Sequence, residues 1–296
     1  MPAIIISGKD VSAEIRGELK ARADRLKEKG VVPGLAVVLV GEDPASVSYV
    51  TAKAKAAEEI GIFETTIRLP AASSEEEILR TVGELNRDSR YNGFLVQLPL
   101  PKHVGAEKVI NLIAPEKDVD GFHPVNVGRM LRGEPCPLPC TPYGVLQLLV
   151  RSGHSPEGKH VVVCGRSNIV GKPLAAMLIQ KKKGANATVT VCHTGTPDLA
   201  RFTLQADILV AAMGVPQAIK AEMVRPGAVV IDVGVNRVND PAAAKGFRLV
   251  GDVDFEPIKE KAAAITPVPG GVGPMTVTML MMNTIEAAER KAGLAA

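Results

Sequence analysis

The side chain least expected in its surroundings is a lysine in the stretch "SYVTAKAKAAEEIGI", residues 48–62. If this stretch is a helix, with about 100° per residue, Ala57 and Ile60 share an apolar face and Lys53 projects within it. Burial disfavours the charged form of an amine, so a lysine on such a face is a candidate for proton transfer. The alternative is a lysine whose aliphatic stem merely covers apolar surface. Tyr49, one helical turn before Lys53, adds an aromatic ring beside it.

Two further segments contain polar side chains that the packing of a buried sheet does not require. Gln97 interrupts the apolar run "GFLVQLPL", and the carboxyl end of a parallel strand is where such sheets bind ligands. Asp118 and Asp120 lie directly before a glycine in "EKDVDGFHPVN". The plainer alternatives are a hydrogen bond from Gln97 to a neighbouring loop and solvated acids in the second segment.

A segment near the C-terminus, "ITPVPGGVGPMTV", combines prolines with glycines. Gly270, Gly271 and Gly273 follow Pro269, and this composition suits a close approach of the backbone to a flat ligand. A structural hinge is the alternative.

The stretch "VVVCGRSNIVGKP" has the pattern of a strand, a glycine turn and the start of a helix. Gly165 permits the tight turn, and Ser167 lies where the free N–H groups and dipole of a helix N-terminus favour a phosphate. The spacing is G-x-S-x-x-x-G rather than the dinucleotide fingerprint G-x-G-x-x-G, so an ordinary strand-to-helix turn stays open. A nucleotide-hydrolysing P-loop is disfavoured, because five residues separate Gly165 from Gly171.

The strand after this turn bears on the choice of dinucleotide. An NAD site usually has an acidic residue at the end of that strand, which holds the ribose hydroxyls. Here the strand ends "VCHTGT", without an acid. Arg166, with His193 and Thr194 opposite, offers groups that could hold a 2′-phosphate instead. The sequence therefore favours NADP over NAD.

Apolar runs and amphipathic stretches alternate along the chain, as in strands joined by crossover helices over a parallel sheet. In the first half we predict helices at about 11–29, 44–60, 73–85 and 105–113, and strands at 35–40, 62–69 and 93–100. After the proline-rich "GEPCPLPCTPYG" we predict helices at 142–152 and 171–182, and strands at 160–165, 187–193, 207–214 and 228–235, followed by "RLVGDV". The last helix, "MTVTMLMMNTIEAAERKAG", is apolar on more than one face. We expect an α/β fold of two domains with a cleft between them.

Composition restricts the class of protein. The 296 residues carry a formal charge of +3 and only 3% aromatic residues, which disfavours a basic or base-stacking nucleic-acid surface. No stretch approaches the roughly 18 consecutive apolar residues of a membrane span, and the start "MPAIIISGKD" lacks a signal-peptide pattern. The four cysteines fit a reducing compartment, and the pair in "CPLPC" has no nearby histidine to complete a metal site. We therefore expect a cytoplasmic protein without a bound metal or membrane contact.

Seven segments together resemble one known family: "YVTAKAKAAEEIGI", "GFLVQLPLP", "PEKDVDGFHPVNVGRM", "PCTPYG", "GRSNIVGKP", "GDVDF" and "ITPVPGGVGPMT". From about residue 35 to residue 285 they resemble, in order, the bifunctional methylenetetrahydrofolate dehydrogenase/methenyltetrahydrofolate cyclohydrolase family. The resemblance implies oxidation of 5,10-methylenetetrahydrofolate with NADP. Hydrolysis of the 5,10-methenyl product to 10-formyltetrahydrofolate would follow.

The resemblance also implies a domain organisation. A folate-binding domain would comprise residues 1–140 and the last helix, 275–296. A Rossmann-like NADP-binding domain would comprise residues 141–274. Because the family usually forms homodimers through the nucleotide-binding domains, we expect such a homodimer here.

For the folate site, the resemblance implies four catalytic residues. Lys53 matches the active-site lysine, and Gln97 matches the amide that holds it. Tyr49 matches the lysine's partner and folate-stacking ring, and Asp120 matches the acid that binds the pterin. The full set of substrate-binding candidates is Tyr49, Gln97, Leu98, Asp120, Pro269, Gly270, Gly271 and Gly273.

For the cofactor site, the resemblance implies that the turn from Gly165 to Ser167 binds the NADP phosphates. Thr194 matches a small hydroxyl residue near that loop, and Val235, after "IDVG", matches a cofactor contact. With His193, the cofactor-binding candidates are Gly165, Arg166, Ser167, His193, Thr194 and Val235.

Two other functions stay open. One is a monofunctional, NAD-preferring dehydrogenase of the same fold, and the missing acid after "VTVCH" and the intact set of Lys53, Gln97 and Asp120 argue against it. The other is a non-catalytic NADP-binding protein that senses redox state or serves in an assembly. Cofactor binding without turnover of folate would identify the second.

Overall fold

The computed structural model of the protein describes residues 2–243 and 246–294. The predicted domain ranges also include residues 1, 244, 245, 295 and 296, which lie outside the described residues. The chain divides into two compact units. The three-stranded unit contains 13–140 and 277–294, and the six-stranded unit contains 2–12 and the described residues of 141–276.

The elements are numbered here in chain order. The strands are β1 (Ile4–Ile5), β2 (Gly34–Val40), β3 (Phe63–Leu69), β4 (Gly93–Val96), β5 (His160–Cys164), β6 (Thr188–Cys192), β7 (Ile208–Ala211), β8 (Val229–Asp232), β9 (Asn236–Asn239), β10 (Phe247–Val250) and β11 (Ala264–Ile265). The helices are α1 (Gly8–Glu28), α2 (Pro44–Ile60), α3 (Glu75–Arg87), α4 (Ala106–Leu112), α5 (Pro124–Arg132), α6 (Cys140–Arg151), α7 (Gly171–Leu178), α8 (Leu199–Thr203), α9 (Phe255–Lys259) and α10 (Val272–Lys291).

The three-stranded unit is built on a parallel sheet in the order β3-β2-β4. Every residue of the central strand β2 is buried, which explains its uninterrupted aliphatic sequence. Helix α3 contributes Ile78, Val82 and Leu85 to the core on one side of this sheet. Ser74 caps α3 by accepting a hydrogen bond from the Glu77 N–H at 3.2 Å. The sheet therefore holds the carboxyl ends of β2 and β4 side by side.

The six-stranded unit has a sheet in the order β1-β11-β8-β7-β5-β6, with every adjacent pair parallel, and a separate antiparallel pair of β9 and β10. From β5 the chain passes to β6 on one side and then returns to β7 on the other. Such a reversal is the topological switch point at which open α/β sheets bind ligands, outside the carboxyl ends of the strands. The predicted fold class, two α/β domains with parallel sheets, is confirmed.

The N-terminal residues belong to a different unit from the one that the sequence suggested. We assigned all of 1–140 to the first domain, whereas residues 2–12 group with the six-stranded unit. The physical reason is strand pairing: β1 lies parallel to β11, and the Ile6 N–H donates to the Ile265 carbonyl oxygen at 2.9 Å. The other boundaries fall after Cys140 and after Thr276.

Most predicted elements are observed, but several end earlier than expected. The helix predicted at 44–60 is α2, whereas the strands predicted at 93–100, 207–214 and 228–235 end at Val96, Ala211 and Asp232. In each case the strand ends although apolar residues follow within the next two positions. Six short elements, β1, α5, α8, β9, α9 and β11, have no counterpart among the predicted helices and strands.

Candidate functional site

Helix α2 has well-defined ends, which fix the residues that face the core. Asp43 accepts a hydrogen bond from the Ser46 N–H at 2.8 Å, Pro44 occupies the first turn, and Gly61 ends the helix in the left-handed conformation. An N-cap of this kind contributes about 1 kcal/mol. The buried residues of the helix are Ser46, Val50, Lys53, Ala56, Ala57 and Ile60. Lys53 therefore lies on the buried face, as predicted.

The ammonium group of Lys53 is held by an amide. Lys53 is only 7% exposed, and its Nζ donates to Gln97 Oε1 at 2.9 Å. Gln97 immediately follows β4, and its backbone N–H donates to the Val38 carbonyl oxygen at 2.8 Å. Its side-chain Nε2 donates to the Leu98 carbonyl oxygen at 2.7 Å. Because the amide nitrogen is engaged, the amide oxygen faces the lysine, and the predicted pairing of Lys53 with Gln97 is present.

The two acids of the "DVDG" segment have different surroundings. Asp118 is buried and accepts hydrogen bonds from the backbone N–H groups of Gly121 at 3.0 Å and His123 at 2.8 Å, and from Asn126 Nδ2 at 2.9 Å. Asp120 accepts no hydrogen bond from the described residues and keeps part of its surface accessible. Asp118 thus holds the loop together, while the carboxyl group of Asp120 is available to a ligand.

Charge connects Asp120 with the lysine. Burial raises the pKa of Asp120 despite its partial exposure, because protein atoms surround it densely. The positive charge of Lys53 lowers that pKa, and the negative charge of Asp118 raises it further. Lys53, Gln97 and Asp120 therefore form one electrostatic group within the three-stranded unit.

Asn283 on α10 was not among the residues expected at the site. Its Nδ2 donates to the carbonyl oxygens of Val119 and Leu138, both at 2.8 Å, and so ties the loop of Asp120 to the segment before Cys140. Burial raises the pKa of the Cys140 thiol well above its ordinary value, and the negative charge of Asp120 adds to the rise. An asparagine in the otherwise apolar "TMLMMNTI" was the signal that could have identified this residue.

The remaining candidates for substrate binding lie in both units. Tyr49 is 44% exposed on α2, one turn before Lys53, and Leu98 is half-buried after Gln97. In the six-stranded unit, Pro269 is exposed, Gly270 has a positive φ of 106°, and Gly273 has open space where a Cβ would lie. A Cβ on Gly271 would lie 2.6 Å from the Pro267 carbonyl oxygen, so close packing of its own backbone explains that glycine.

The glycine turn at 165–171 leaves the carboxyl end of β5. Gly165 has a φ of 136°, and a Cβ there would overlap the Ala212 carbonyl oxygen. A Cβ on Gly171, the first residue of α7, would overlap the Gly165 carbonyl oxygen. Both glycines are therefore required by the tight path of the backbone. Arg166 and Ser167 are exposed, and Ser167 Oγ accepts from the Val170 N–H at 3.1 Å.

The other cofactor-binding candidates follow neighbouring strands. His193 and Thr194 come directly after β6, where His193 Nδ1 accepts from the Gly195 N–H at 3.0 Å and Thr194 is exposed. Val235 is 49% exposed and follows β8. Since the carboxyl ends of parallel strands meet at one edge of a sheet, these residues share that edge with the glycine turn.

Two features are absent from the part of the chain that the structure describes. Within 2–243 and 246–294, no group of three or more His, Cys, Asp or Glu side chains could hold a metal ion. No helix in the same ranges combines the length and the apolar character that crossing a membrane requires.

Two family models match the chain. One, described as tetrahydrofolate dehydrogenase/cyclohydrolase, catalytic domain, matches residues 6–120. The other, described as tetrahydrofolate dehydrogenase/cyclohydrolase, NAD(P)-binding domain, matches residues 139–292. Together they cover most of the sequence.

Individual proteins resemble the chain over nearly its whole length. It is 59% identical over 294 residues to the bifunctional protein FolD of Syntrophus aciditrophicus, with 99% of this chain and 100% of that protein covered. A crystal structure of the bifunctional enzyme FolD, methylenetetrahydrofolate dehydrogenase/cyclohydrolase, from Campylobacter jejuni has a TM-score of 0.92 at 46% identity, covering 98% of this chain and 99% of that one. The N5,N10-methylenetetrahydrofolate dehydrogenase-cyclohydrolase of Trypanosoma brucei, complexed with NADP and an inhibitor, has a TM-score of 0.92 at 41% identity, with 99% of each chain covered.

Proposed function

We propose that this chain, which belongs to the tetrahydrofolate dehydrogenase/cyclohydrolase family, catalyses two consecutive reactions. It oxidises 5,10-methylenetetrahydrofolate to 5,10-methenyltetrahydrofolate with NADP. It then hydrolyses the methenyl compound to 10-formyltetrahydrofolate. The observation that carries the second activity is the buried side-chain amine of Lys53, whose Nζ donates a hydrogen bond to Gln97 Oε1 at 2.9 Å.

Lys53 acts on the proton that hydrolysis releases. When water attacks the cationic one-carbon bridge of methenyltetrahydrofolate, the new C–O bond forms, the C=N π electrons return to nitrogen, and the water loses a proton. The bond from that carbon to N5 then breaks, N5 takes the proton of the new hydroxyl group, and the carbon stays on N10 as the formyl group. Unprotonated Lys53 accepts the proton that the attacking water loses, directly or through a second water, and Gln97 fixes the position of the amine. Positioned acid–base catalysis of this kind contributes about 10²- to 10⁴-fold to a rate.

Asp120 binds the amino-pyrimidine edge of the pterin. Its carboxyl group has no hydrogen-bond donor among the described residues, whereas the neighbouring Asp118 is fully engaged with its own loop. A carboxylate accepts two parallel hydrogen bonds from an amidine-like edge, and such charge-assisted pairs are about twice as strong as neutral ones. The exposed ring of Tyr49 offers a face on which the substrate stacks.

The residues at the carboxyl edge of the six-stranded sheet fit NADP. The two glycines whose Cβ atoms would overlap the backbone, Gly165 and Gly171, let the chain pass close to a pyrophosphate group. Arg166 and Thr194 are exposed and hold the 2′-phosphate, and Ser167, His193 and Val235 line the same edge. When bound, NADP supplies the acceptor for the hydride of the methylene bridge. The task of these residues is to hold it in line with the substrate.

The two units then have separate tasks. The three-stranded unit, with the last helix from residue 277, binds folate and carries the cyclohydrolase residues. The six-stranded unit binds NADP and adds Pro269, Gly270, Gly271 and Gly273 as folate-binding residues, on the strength of the motif resemblance. The enzyme works in the cytoplasm as a homodimer that pairs through its six-stranded units. The free cysteines, of which Cys140, Cys164 and Cys192 are buried, support the reducing compartment.

An initial-rate assay tests this function. Reduced nicotinamide is followed from methylenetetrahydrofolate with NADP and, in parallel, with NAD, while methenyltetrahydrofolate is monitored in the same cuvette. A faster rate with NADP and little accumulation of the methenyl compound beyond its spontaneous hydrolysis is expected. Accumulation of the methenyl compound with NAD as the preferred acceptor would indicate the monofunctional enzyme. Binding of NADP without turnover would indicate the non-catalytic protein.

A further inference from the structure

The six-stranded unit contains a buried acid that the proposed chemistry does not use. Asp252 follows β10 and is completely buried. One of its oxygens accepts from the N–H groups of Met213 and Gly214, the latter at 2.9 Å. The other accepts from the Val215 N–H at 3.0 Å and from Asn236 Nδ2 at 2.8 Å. Every hydrogen bond of this carboxyl group therefore goes to two segments that leave the carboxyl edge of the sheet.

Both segments lie beside the cofactor-binding candidates. Met213–Val215 follows β7, next to the switch point, and the preceding Ala212 carbonyl oxygen lies where a Cβ on Gly165 would be. The Ala212 N–H also donates to the Cys164 carbonyl oxygen at 2.8 Å. Asn236 is the first residue of β9 and follows Val235 directly. A shift of either segment would change the surface against which the dinucleotide lies.

Asp252 is itself held in place by a second buried acid. Asp232, the last residue of β8, accepts from the N–H groups of Asp252 at 2.9 Å and Val253 at 3.0 Å. A Cβ on Gly251 would overlap the Asp232 carboxyl group, and a Cβ on Gly234 would overlap that of Asp252. The end of β8, the segment after β10 and the loop after β7 are thus linked in one chain of hydrogen bonds.

We propose that Asp252 is a positioning residue for the NADP site, because it gathers the loops after β7 and β8 around one carboxylate. It does not touch the cofactor. Three consecutive backbone N–H groups and one side-chain amide would lose their acceptor without it. A buried donor without an acceptor is costly, so the loops would relax into another arrangement when this acceptor is removed. The inference rests on the proposed use of NADP by this unit.

The test uses the full-length enzyme and its two activities. In Asp252→Asn the side chain keeps its shape, but one of its oxygens is replaced by an NH₂ group. That group is itself a donor and cannot accept from the backbone N–H groups. We expect the KM for NADP to rise about 10- to 100-fold. Hydrolysis of methenyltetrahydrofolate, assayed without NADP, should change by no more than about twofold, because Lys53, Gln97 and Asp120 lie in the other unit. A general loss of stability would lower both activities, so this selective loss distinguishes the positioning role from it.

Asp254→Asn is the matched control, because Asp254 lies two residues further along and pairs with Lys220 at 3.2 Å instead. Its KM for NADP should stay within about twofold of the parent value. An unchanged KM in Asp252→Asn, or an equal fall of both activities in that variant, would overturn the positioning role.

If Asp252→Asn yields no folded protein, Asn236→Ala tests the proposal instead. A rise of about two- to fivefold in the KM for NADP supports the proposal, and no rise overturns it.

A separate result would concern the proposed function rather than this inference. If the parent enzyme shows no reduction of NADP or NAD, the proposed function fails and the KM comparison cannot be made. If the parent enzyme reduces NADP and Asp252→Asn does so with the same KM, only the role of Asp252 is lost. Calorimetric binding of NADP to both proteins, without folate, separates these cases.

Discussion

Each unit of the protein holds a pair of aspartates near its candidate site, and the two pairs differ in how many partners they have. In the three-stranded unit, Asp118 accepts hydrogen bonds from its own loop, while Asp120 accepts none from the described residues. In the six-stranded unit, Asp232 and Asp252 both accept three or more. A carboxyl group whose partners are all within the protein holds loops in place. One without partners is free to bind a ligand.

The same contrast applies to the chemistry of the two units. In the proposed function the three-stranded unit acts through side chains, chiefly those of Lys53 and Asp120. The six-stranded unit acts there through backbone geometry, with Gly165 and Gly171 at positions where a Cβ would overlap the backbone. Substitutions should therefore separate the two activities according to the unit in which they fall.

The largest effect is expected from Lys53→Met, which keeps the length and apolar character of the buried stem but removes the amine. Cyclohydrolase activity should fall about 10²- to 10⁴-fold, because the proton acceptor is lost. Dehydrogenase activity should stay within about tenfold, because holding the substrate in line depends on other groups. Both rates are measured in one preparation. Lys55→Met, on the exposed face of α2, is the control, and an equal loss of both activities in Lys53→Met would reduce the lysine to a positioning role.

Asp120→Asn and Asp118→Asn test the distinction within the first pair of acids. Asp120→Asn should raise the KM for folate about 10- to 100-fold and leave the KM for NADP nearly unchanged, since a charge-assisted pair of hydrogen bonds is weakened. Asp118→Asn should instead lower the free energy of unfolding by about 1–3 kcal/mol, because buried N–H groups lose their acceptor. Initial rates and urea unfolding distinguish the two. A normal folate KM in Asp120→Asn would remove that residue from the site.

Gly165→Ala tests the backbone geometry of the cofactor site. The added Cβ would overlap the Ala212 carbonyl oxygen at a positive φ, so the turn must shift. We expect the KM for NADP to rise about tenfold and stability to fall by about 1–3 kcal/mol. Gly17→Ala, where a Cβ meets nothing within 4 Å, should leave the KM unchanged and raise stability by up to about 1 kcal/mol. Unaltered NADP kinetics in Gly165→Ala would exclude the turn from the binding site.

The smallest expected effect is on the pH dependence of stability, which Asp232→Asn tests. Burial raises the pKa of Asp232 to about 7 from 3.8, and the nearby Asp252 carboxyl group adds to the rise. Between these values the folded protein binds a proton that the unfolded chain does not, so this group's contribution to stability declines as the pH rises from about 4 to 7. The asparagine variant should lack that slope. Urea unfolding at several pH values checks this, and parallel stability curves for the two proteins would contradict it.

The sequence predicts the central parts of the fold well because they depend on local pattern. The continuous aliphatic run of β2 and the capped, amphipathic α2 are both recognisable without tertiary information. The position of Ile4 and Ile5 was not predictable in this way, because their pairing partner lies about 260 residues away in sequence. Strands were predicted too long where apolar residues continue beyond the last paired residue.

The site was predictable in part, for a similar reason. A lysine on an apolar helical face and an amide in a strand are visible in the pattern, and the structure places Lys53 and Gln97 in contact. Which of Asp118 and Asp120 is free depends on donors that the fold brings to Asp118. The same applies to Asp252 and Asn283, whose partners come from distant segments. Such roles follow from tertiary contacts alone.

The most direct test of the division between the units is the ratio of the two activities in Lys53→Met and Gly165→Ala, measured side by side with the parent enzyme. The ratio of dehydrogenase to cyclohydrolase activity, at a fixed NADP concentration near the parent KM, should rise by at least about tenfold in the first variant. It should fall several-fold in the second, whose hydrolysis of methenyltetrahydrofolate stays near the parent rate. Ratios equal to that of the parent enzyme in both variants would contradict the assignment of proton transfer to one unit and cofactor binding to the other.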